Sequence, residues 1–291
     1  MTNIMELPVG SWDCHLHVFD PTRFPFRPDR AYTPSPATAE DLIANTRSKG
    51  LLLVQASPED GHHGLLTQLR EATEKYPAKH FRASIITEDV VGHDICGLDK
   101  ESIDAMHDWG VRSIRLQGSF GSFGSQLDRL KEYLNSLARS YAVQGRGWVI
   151  SMQMPLSVWA NLGDVDFGSA IVVAEHGACA TPKDVDSHEF KTFLDLLHTG
   201  RFHVKISALH RRSPDNFRNM KGVVQAFANT APDRLLWGSD WPHVDTRRGG
   251  LEPTPNNPDA KWDEELKAIQ SWLTDEQYLQ MMVSNPSRLF L

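Results

Sequence analysis

Eight short apolar runs of β-like composition recur along the chain, and an amphipathic segment separates most neighbours. Many of the runs are continuously apolar, which is typical of parallel strands that are covered on both faces. The predicted strands are Trp12–Val18, Leu51–Ala56, Phe81–Thr87, Val111–Gln117, Trp148–Met152, Ala170–Glu175, Phe202–Ala208 and Arg234–Ser239. Eight β/α alternations within 291 residues favour a (β/α)8 TIM barrel over a doubly wound sheet.

The helical segments support the same fold. The clearest amphipathic stretches are Leu65–Tyr76, Gln126–Ala142, Glu189–Thr199 and Asn216–Asn229. Gly50 and Gly110 each stand directly before a strand, where we expect a glycine to cap the preceding helix. Neither internal repeats nor linkers interrupt the pattern, so we predict one domain over residues 1–291.

The tail and two proline-rich stretches complete the predicted organisation. Two C-terminal helices are expected over residues 262–284, packed on the barrel, and Thr274 with Gln277 forms a capping box for the second. Pro21–Pro36 and Leu251–Pro258 read as long loops after the first and eighth strands. Such loops overhang the active-site mouth of a barrel, so we expect them to wall the substrate site.

Imidazole and carboxylate side chains stand at the ends of three predicted strands. His15 and His17 alternate around Cys14 and therefore share one face of the first strand. His176 ends the sixth strand, and Asp240 ends the eighth. Because barrel enzymes form their active sites at the C-terminal strand ends, we expect these four groups to meet in one site. Cys14 points away from that face and reads as a small packed residue.

The chemistry of this set leaves two routes open. His15, His17, His176 and Asp240 could hold one divalent metal such as Zn²⁺, with an open position for water. Without a metal, Asp240 would take a proton from water, and the histidines would donate hydrogen bonds to a carbonyl oxygen that gains negative charge. Both routes add water to an activated carbonyl.

Charge and hydropathy exclude several classes of protein. The formal net charge is -7, which is unlike the basic surface of a nucleic-acid binder. No apolar run approaches the ~20 residues needed to cross a bilayer. The first residues lack the basic and apolar regions of a secretory signal. The 3 cysteines are odd in number and widely spaced, which suggests a reducing compartment, and we expect a cytoplasmic protein.

Several ordered motifs resemble the amidohydrolase superfamily. They are Asp13-x-His15-x-His17, the strand-end His176, Trp237-Gly-Ser-Asp240-Trp-Pro-His243 and the closing Asn285-Pro-Ser-Arg-Leu-Phe290. Within the superfamily, the chain is most similar to the branch of 2-pyrone-4,6-dicarboxylate lactonase, from about Gly10 to Phe290. Local features shared with that branch are Phe19-Asp-Pro21, Arg30-Ala-Tyr-Thr-Pro34, Val54-Gln-Ala-Ser57, Val111-Arg-Ser-Ile-Arg115 and Val204-Lys-Ile-Ser207.

This resemblance implies a barrel hydrolase that opens a six-membered lactone with no obligatory metal. By motif, Asp240 would be the base that activates water, and the three histidines would polarise the lactone carbonyl. The residues that would bind a small carboxylated substrate are Tyr32, Ser57, Arg115, Arg211 or Arg212, and His243. Guanidinium groups suit this role because they bind a carboxylate with two parallel hydrogen bonds.

The chain departs from the lactonase pattern in two places. The lactonase carries further basic residues after the strand-four arginine, where this chain has Gln117–Gly124. It also has a tyrosine on strand five, where this chain reads Ile150–Gln153. Fewer cationic and phenolic groups predict a substrate with less negative charge than a dicarboxylate. Gly118–Gly124 lacks the Lys-Ser/Thr ending of a phosphate loop and reads as a flexible βα loop.

The sequence is also compatible with two other functions, and it leaves the roles of several neighbouring residues open. A zinc-dependent decarboxylase of an aromatic or unsaturated acid would use the same site, and a barrel retained for binding would leave the site idle. Glu175 reads as a structural ion-pair member, and Lys205 as a ligand-binding cation or a core ion-pair partner. Arg115 could likewise bridge carboxylates inside the barrel. His62 and His63 are expected on the surface.

Overall fold

Eight parallel strands form one sheet in sequential order. The computed structural model describes residues 6–87, 94–117 and 126–291, so the predicted glycine-rich loop at Gly118–Gly124 lies outside the described residues. The strands are β1 Trp12–Leu16, β2 Gly50–Val54, β3 His80–Ile86, β4 Val111–Gln117, β5 Val149–Gln153, β6 Val172–Ala174, β7 Phe202–Ser207 and β8 Leu235–Gly238. Most of their residues are buried on both faces, which explains the continuous apolar runs.

Hydrogen bonds between β1 and the segment after β8 join the two ends of the sheet. The Asp240 N–H donates to the His15 carbonyl, and the His17 N–H donates to the Trp241 carbonyl, both at 2.8 Å. Gly238 permits this approach, because a Cβ at that position would lie 2.4 Å from the Cβ of His15. The sequential parallel order and this closure confirm the predicted (β/α)8 barrel.

Helices surround the sheet and bury one face each. They are α1 Ala39–Asn45, α2 His63–Lys75, α3 Lys100–Trp109, α4 Leu127–Arg139, α5 Tyr141–Gln144, α6 Leu156–Trp159, α7 His188–His198, α8 Leu209–Arg212, α9 Lys221–Thr230, α10 Trp262–Trp272, α11 Asp275–Leu279 and α12 Asn285–Phe290. In α4, Leu130, Leu134 and Leu137 are buried at helical spacing. The predicted helix over Gln126–Ala142 is interrupted, because the Ser140 hydroxyl caps α5 by accepting from the Val143 N–H.

The two glycines predicted to cap helices have different roles. Gly110 ends α3 in the left-handed region with φ 113°, as predicted. The prediction for Gly50 was wrong, because α1 already ends at Asn45 and Gly50 is the first residue of β2. A Cβ on Gly50 would lie 2.0 Å from the Trp12 ring. Glycine there makes room for the buried indole.

The two proline-rich loops are joined to each other. Thr33–Pro34 and Pro253–Thr254 form a short parallel pair, and the Thr33 hydroxyl donates to the Leu251 carbonyl at 2.9 Å. Tyr32, next to this pair, lines the cavity at the C-terminal strand ends. The loops therefore wall the barrel mouth on one side.

The C-terminal helices pack against the barrel. The Trp262 ring lies 6.1 Å from that of Trp237 in β8, and the Asn285 amide donates to the Leu235 carbonyl at 2.9 Å. The predicted capping box of Thr274 and Gln277 is confirmed, although α11 continues into a π-helical segment over Gln280–Ser284. From this packing we propose that residues 1–291 form one domain. Across the described ranges, no helix combines the length and the apolarity needed to cross a membrane.

Candidate active site

A cavity of about 220 Å³ lies at the C-terminal ends of the strands. We call it the catalytic cavity. Its walls are His17, Phe19, Tyr32, Arg115, Gln117, Gln153, His176, Arg211, Arg212, Asp240, Val244 and Thr246. His15 is fully buried, and its ring lies 4.5 Å from that of His176 and 5.1 Å from that of His17. The structure thus brings together the four groups that the strand ends predicted.

Asp240 lies between an arginine and two histidines. Its Oδ2 accepts a hydrogen bond from Arg211 Nε at 2.8 Å. Its Oδ1 lies 3.7 Å from Nε2 of both His15 and His17. Burial raises the pKa of the Asp240 carboxyl, but the positive charge of Arg211 outweighs it and holds this pKa well below its usual range. Asp240 is therefore a carboxylate at neutral pH.

The ring orientation of His17 follows from its backbone partner. His17 Nδ1 lies 2.6 Å from the Val54 carbonyl oxygen. Because a carbonyl can only accept, Nδ1 must carry the proton, and the neutral ring presents a lone pair at Nε2. His17 and Asp240 Oδ1 therefore place two acceptors side by side, as is suitable for holding a water molecule.

His176 reaches the cavity through a backbone in the left-handed region. β6 ends at Ala174, and His176 has φ 49°, which is uncommon for a residue with a Cβ. Its Nδ1 lies 2.8 Å from the Ser207 hydroxyl of β7, which fixes the ring. Burial lowers the pKa of His176 to about 3, so the ring is neutral. Asp240, with φ 64°, shares this feature. Such conformations cluster at functional sites.

A layer of buried charges lies beneath the histidines. Glu175 accepts from Arg115 Nε and from the Ser151 hydroxyl, both at 2.9 Å. Lys205 Nζ lies 3.4 Å from Glu175 Oε1 and 3.3 Å from His15 Nδ1. Burial raises the pKa of the Glu175 carboxyl, but Arg115 and Lys205 outweigh it and hold this pKa well below its usual range. Glu175 is thus the ion-pair member that we predicted. Of the two roles left open for Lys205, the structure shows the core ion-pair partner, and Arg115 pairs with the same carboxylate.

The contact with Lys205 also determines which ring nitrogen of His15 carries the proton. An ammonium group has no acceptor, so its contact with Nδ1 at 3.3 Å makes Nδ1 the acceptor. The neutral ring then carries its proton on Nε2, which lies towards Asp240. This nitrogen is buried and has no hydrogen-bond partner in the described part of the chain. An N–H group that has no acceptor in the described protein is suited to donate a hydrogen bond to a substrate oxygen.

Arg211 and Arg212 stand on the short helix α8, which a C-terminal helix holds in place. Glu265 of α10 accepts from the backbone N–H of Leu209 at 3.0 Å and of His210 at 2.9 Å. It also accepts from His210 Nδ1 at 2.7 Å. A carboxylate at the start of a helix satisfies its free N–H groups. Both arginines reach the catalytic cavity, and sequence reasoning did not anticipate this role of Glu265.

The other predicted binding residues are placed differently. Tyr32 lines the cavity, whereas Ser57 is a hydrogen-bond partner of Tyr32. His243 lies beside His210, with ring centroids 6.4 Å apart, and it is not among the described residues of the cavity wall. Their contacts with substrate stay predictions.

Two further predictions concern residues outside the cavity. Cys14 is fully buried, and burial raises the pKa of its thiol, in agreement with a packed residue. The prediction that His62 is on the surface was wrong, because His62 is 7% exposed and its Nε2 lies 2.9 Å from the Ile86 carbonyl oxygen. His63 is exposed, as predicted.

Two sets of side chains have the composition of a metal site. In His15, His17 and Asp240, and in His15, Glu175 and His176, the potential ligand atoms lie within 4.8 Å of one another. Imidazole and carboxylate groups are ligands that Zn²⁺ accepts. Glu175 is already bound by Arg115, whereas His17 Nε2 and Asp240 Oδ1 face the cavity. The first set therefore fits a divalent metal better than the second.

Comparisons with known proteins cover almost the whole chain. Residues 12–291 match the family model described as amidohydrolase. A 4-sulfomuconolactone hydrolase from Rhizobium radiobacter is 27% identical, over 98% of this chain and 91% of that protein. A 2-pyrone-4,6-dicarboxylate hydrolase from Comamonas testosteroni is 26% identical with the same coverage.

Solved structures share the fold. A Pseudomonas putida protein provisionally named 2-pyrone-4,6-dicarboxylic acid hydrolase has a TM-score of 0.73 at 18% identity, and the match covers 98% of both chains. An amidohydrolase from Burkholderia multivorans with bound zinc has a TM-score of 0.62 at 15% identity, covering 96% of this chain and 98% of that one. At these identities, the likeness shows the barrel alone.

Proposed function

The chain belongs to the amidohydrolase family, and we propose that it opens a carboxylated lactone by adding water to the ring carbonyl. One observation carries the proposal: Asp240, His17 and His176 line one cavity, and the buried His15 ring packs against both of those histidines. The relatives named as lactone hydrolases align along almost the whole chain, which supports this substrate class.

Asp240 serves as the general base. Its Oδ1 and His17 Nε2 lie 3.7 Å apart and accept the two hydrogens of one water molecule. As the water oxygen attacks the carbonyl carbon, a proton passes to Asp240, and the carbonyl π pair moves onto oxygen. The tetrahedral intermediate then collapses, the ring C–O bond breaks, and the proton returns to the leaving oxygen. The product is an open-chain hydroxy acid or its keto tautomer.

His15 and His176 stabilise the negative charge on the carbonyl oxygen. His15 presents its Nε2 proton from a fully buried ring, where a hydrogen bond is stronger than in water. His176, held by Ser207, is the second potential donor. In this scheme, His17 differs from its predicted role, because its proton lies on the Val54 side and its lone pair faces the cavity.

A divalent metal is compatible with the same residues. His15, His17 and Asp240 would hold it, and it would lower the pKa of a bound water. His15 would then have to expose the Nε2 lone pair, against the tautomer that Lys205 favours. We therefore propose that hydrolysis has no obligatory metal. A cytoplasmic location and a carboxylated small-molecule partner stay predictions.

Product analysis with and without metal tests the proposal. Purified protein is assayed against mono- and dicarboxylated lactones, before and after chelation, with zinc content measured in parallel. We expect one acid equivalent released per lactone opened and activity that survives chelation. Release of CO2 that depends on stoichiometric zinc would instead establish the decarboxylase. If no lactone in the panel is opened under any condition, the proposed function is wrong.

A further inference from the structure

Three guanidinium groups line the catalytic cavity, and two of them already have a carboxylate partner. Arg115 Nε donates to Glu175 at 2.9 Å, and Arg211 Nε donates to Asp240 at 2.8 Å. Arg212 has no hydrogen bond or ion pair within the described ranges, and its Nε is buried without an acceptor. A buried donor that carries charge and lacks a partner is costly. Arg212 is therefore the cation on this wall that is available for an anion.

A second cavity of about 200 Å³ lies on the other side of Arg212. We call it the side cavity. It shares Arg211, Arg212 and Thr246 with the catalytic cavity. The rest of its wall consists of His210, Pro214, Arg247, Asn257 and Asp259. The shared residues make the two cavities adjacent, with Arg212 lining both of them.

His210, on the wall of the side cavity, also has a ring nitrogen without a partner among the described residues. His210 is 6% exposed, and its Nδ1 is held by Glu265 at 2.7 Å. Its Nε2 is buried, without a partner in the described part of the molecule. Since buried polar groups are normally hydrogen-bonded, this nitrogen and Arg212 Nε together indicate a ligand that the site is built to hold.

The charges of the side cavity limit the charge of that ligand. Arg247 is neutralised by Asp245, with contacts of 2.7 and 3.0 Å. Asp259, on the same wall, adds a negative charge. Arg247 lies between the two carboxylates, 3.9 Å from Asp259. With Arg211 paired to Asp240, Arg212 is the arginine of this wall that has no carboxylate partner among the described residues. The wall therefore favours one negative charge and opposes a second.

We propose that the side cavity binds an acidic arm of the substrate, with its carboxylate on Arg212. This inference rests on the proposed function, because the lactone ring must occupy the catalytic cavity. The substrate is then a lactone whose carboxylate stands at the end of a chain of several carbons, rather than directly on the ring. The fewer cationic groups beside Arg115 agree with this, since the ring itself then needs no second charge.

Three lactones test the inference. They are six-membered lactones with a carboxylate on the ring, with a carboxylate at the end of a three-carbon arm, and with the methyl amide of that arm. We expect the wild type to prefer the arm carboxylate. Arg212→Met should lower kcat/KM for this compound by about 10- to 100-fold, through KM, because one charge-assisted contact is lost. The amide should change by less than about 2-fold.

Arg248→Met is the matched control, because Arg248 is 67% exposed and lies outside both described cavity walls. It should leave all three rates unchanged. Equal losses for the acid and the amide in Arg212→Met, or a wild-type preference for the ring carboxylate, would overturn the inference even while lactones are hydrolysed.

Butyrate, a single carboxylate on a three-carbon chain, separates this inference from the proposed function. Calorimetry with the wild type and with Arg212→Met requires no turnover. Butyrate that binds the wild type and loses affinity by about 10-fold or more in the variant supports the anion site, even if no lactone is hydrolysed. Affinity that is equal in the two proteins, or no binding to either, counts against the anion site.

Discussion

Arg211 Nε donates to Oδ2 of Asp240 at 2.8 Å, so one oxygen of the carboxylate is fixed while the other faces the histidines. The pair links α8 to the end of β8 and holds Asp240 ionised. Since a general base must be both charged and oriented, this contact prepares Asp240 for its proposed role. Of the two arginines on α8, Arg212 is thus the one without a carboxylate partner in the described part of the chain.

Asp240→Asn tests the base directly. The amide keeps the shape and can still contact Arg211 through its oxygen, but it cannot accept a proton from water. We expect kcat to fall by about 10²- to 10⁴-fold, with substrate affinity nearly unchanged. Steady-state kinetics and circular dichroism check this. Asp233→Asn, at a 46% exposed carboxylate, is the control, and a near-normal kcat in Asp240→Asn would remove the residue from the mechanism.

Glu175 is expected to stabilise the fold by balancing two buried cations. Glu175→Gln leaves Arg115 and Lys205 without their counter-charge and should lower the free energy of unfolding by about 3–5 kcal/mol. Adding Lys205→Met should restore part of that loss, because one uncompensated cation is removed. Urea denaturation of the two single variants and the double variant measures the coupling. Strictly additive effects would show that the groups do not interact.

Gly238 should tolerate no side chain. An alanine Cβ would lie 2.4 Å from the His15 Cβ and 2.7 Å from the His15 nitrogen, and the contact with backbone cannot be relieved by a rotamer change. Gly238→Ala should therefore separate β8 from β1, lower the melting temperature and abolish activity. Gly163→Ala, where nothing lies within 4 Å, is the control. A Gly238→Ala protein with wild-type stability and activity would contradict this closure of the barrel.

Because Glu59 is buried, the protein should become less stable as the pH rises. Burial raises the pKa of the Glu59 carboxyl from 4.5 to about 8. Between those values, the unfolded chain releases the proton and the folded chain keeps it. The free energy of unfolding should therefore fall through this window by about 1.4 kcal/mol per pH unit from this group alone.

Glu59→Gln isolates that contribution. The amide oxygen can still accept from the Ala56 N–H, which contacts the carboxylate at 2.6 Å in the wild type, and it never ionises. The variant should unfold at a higher urea concentration than the wild type at pH 8.5, with little difference at pH 4.5. Glu71→Gln, at an exposed carboxylate, serves as the control. Parallel pH dependence in the variant and the wild type would mean that Glu59 is not the group responsible.

The barrel and the grouping of His15, His17, His176 and Asp240 could be predicted from sequence patterns. Eight continuous apolar runs that alternate with amphipathic segments are typical of covered parallel strands, and the side-chain alternation of a strand puts His15 and His17 on one face. The family motifs added the role of Asp240. The ends of helices and strands were predicted less accurately. Gly50 has the local pattern of a helix cap, but it is the first residue of β2, where the Trp12 ring leaves no space for a side chain.

Sequence patterns could not show which of the cavity arginines has a carboxylate partner among the described residues. Nothing in the local sequence distinguishes Arg115, Arg211 and Arg212. In the structure, Glu175 pairs with Arg115 and lies 60 residues away in the chain. Asp240 pairs with Arg211 and lies 29 residues away. The tautomers of His15 and His17 were decided in the same way, by Lys205 and the Val54 carbonyl. Such pairings depend on distances between side chains from different strands. Local patterns do not contain those distances, because closure of the barrel sets them.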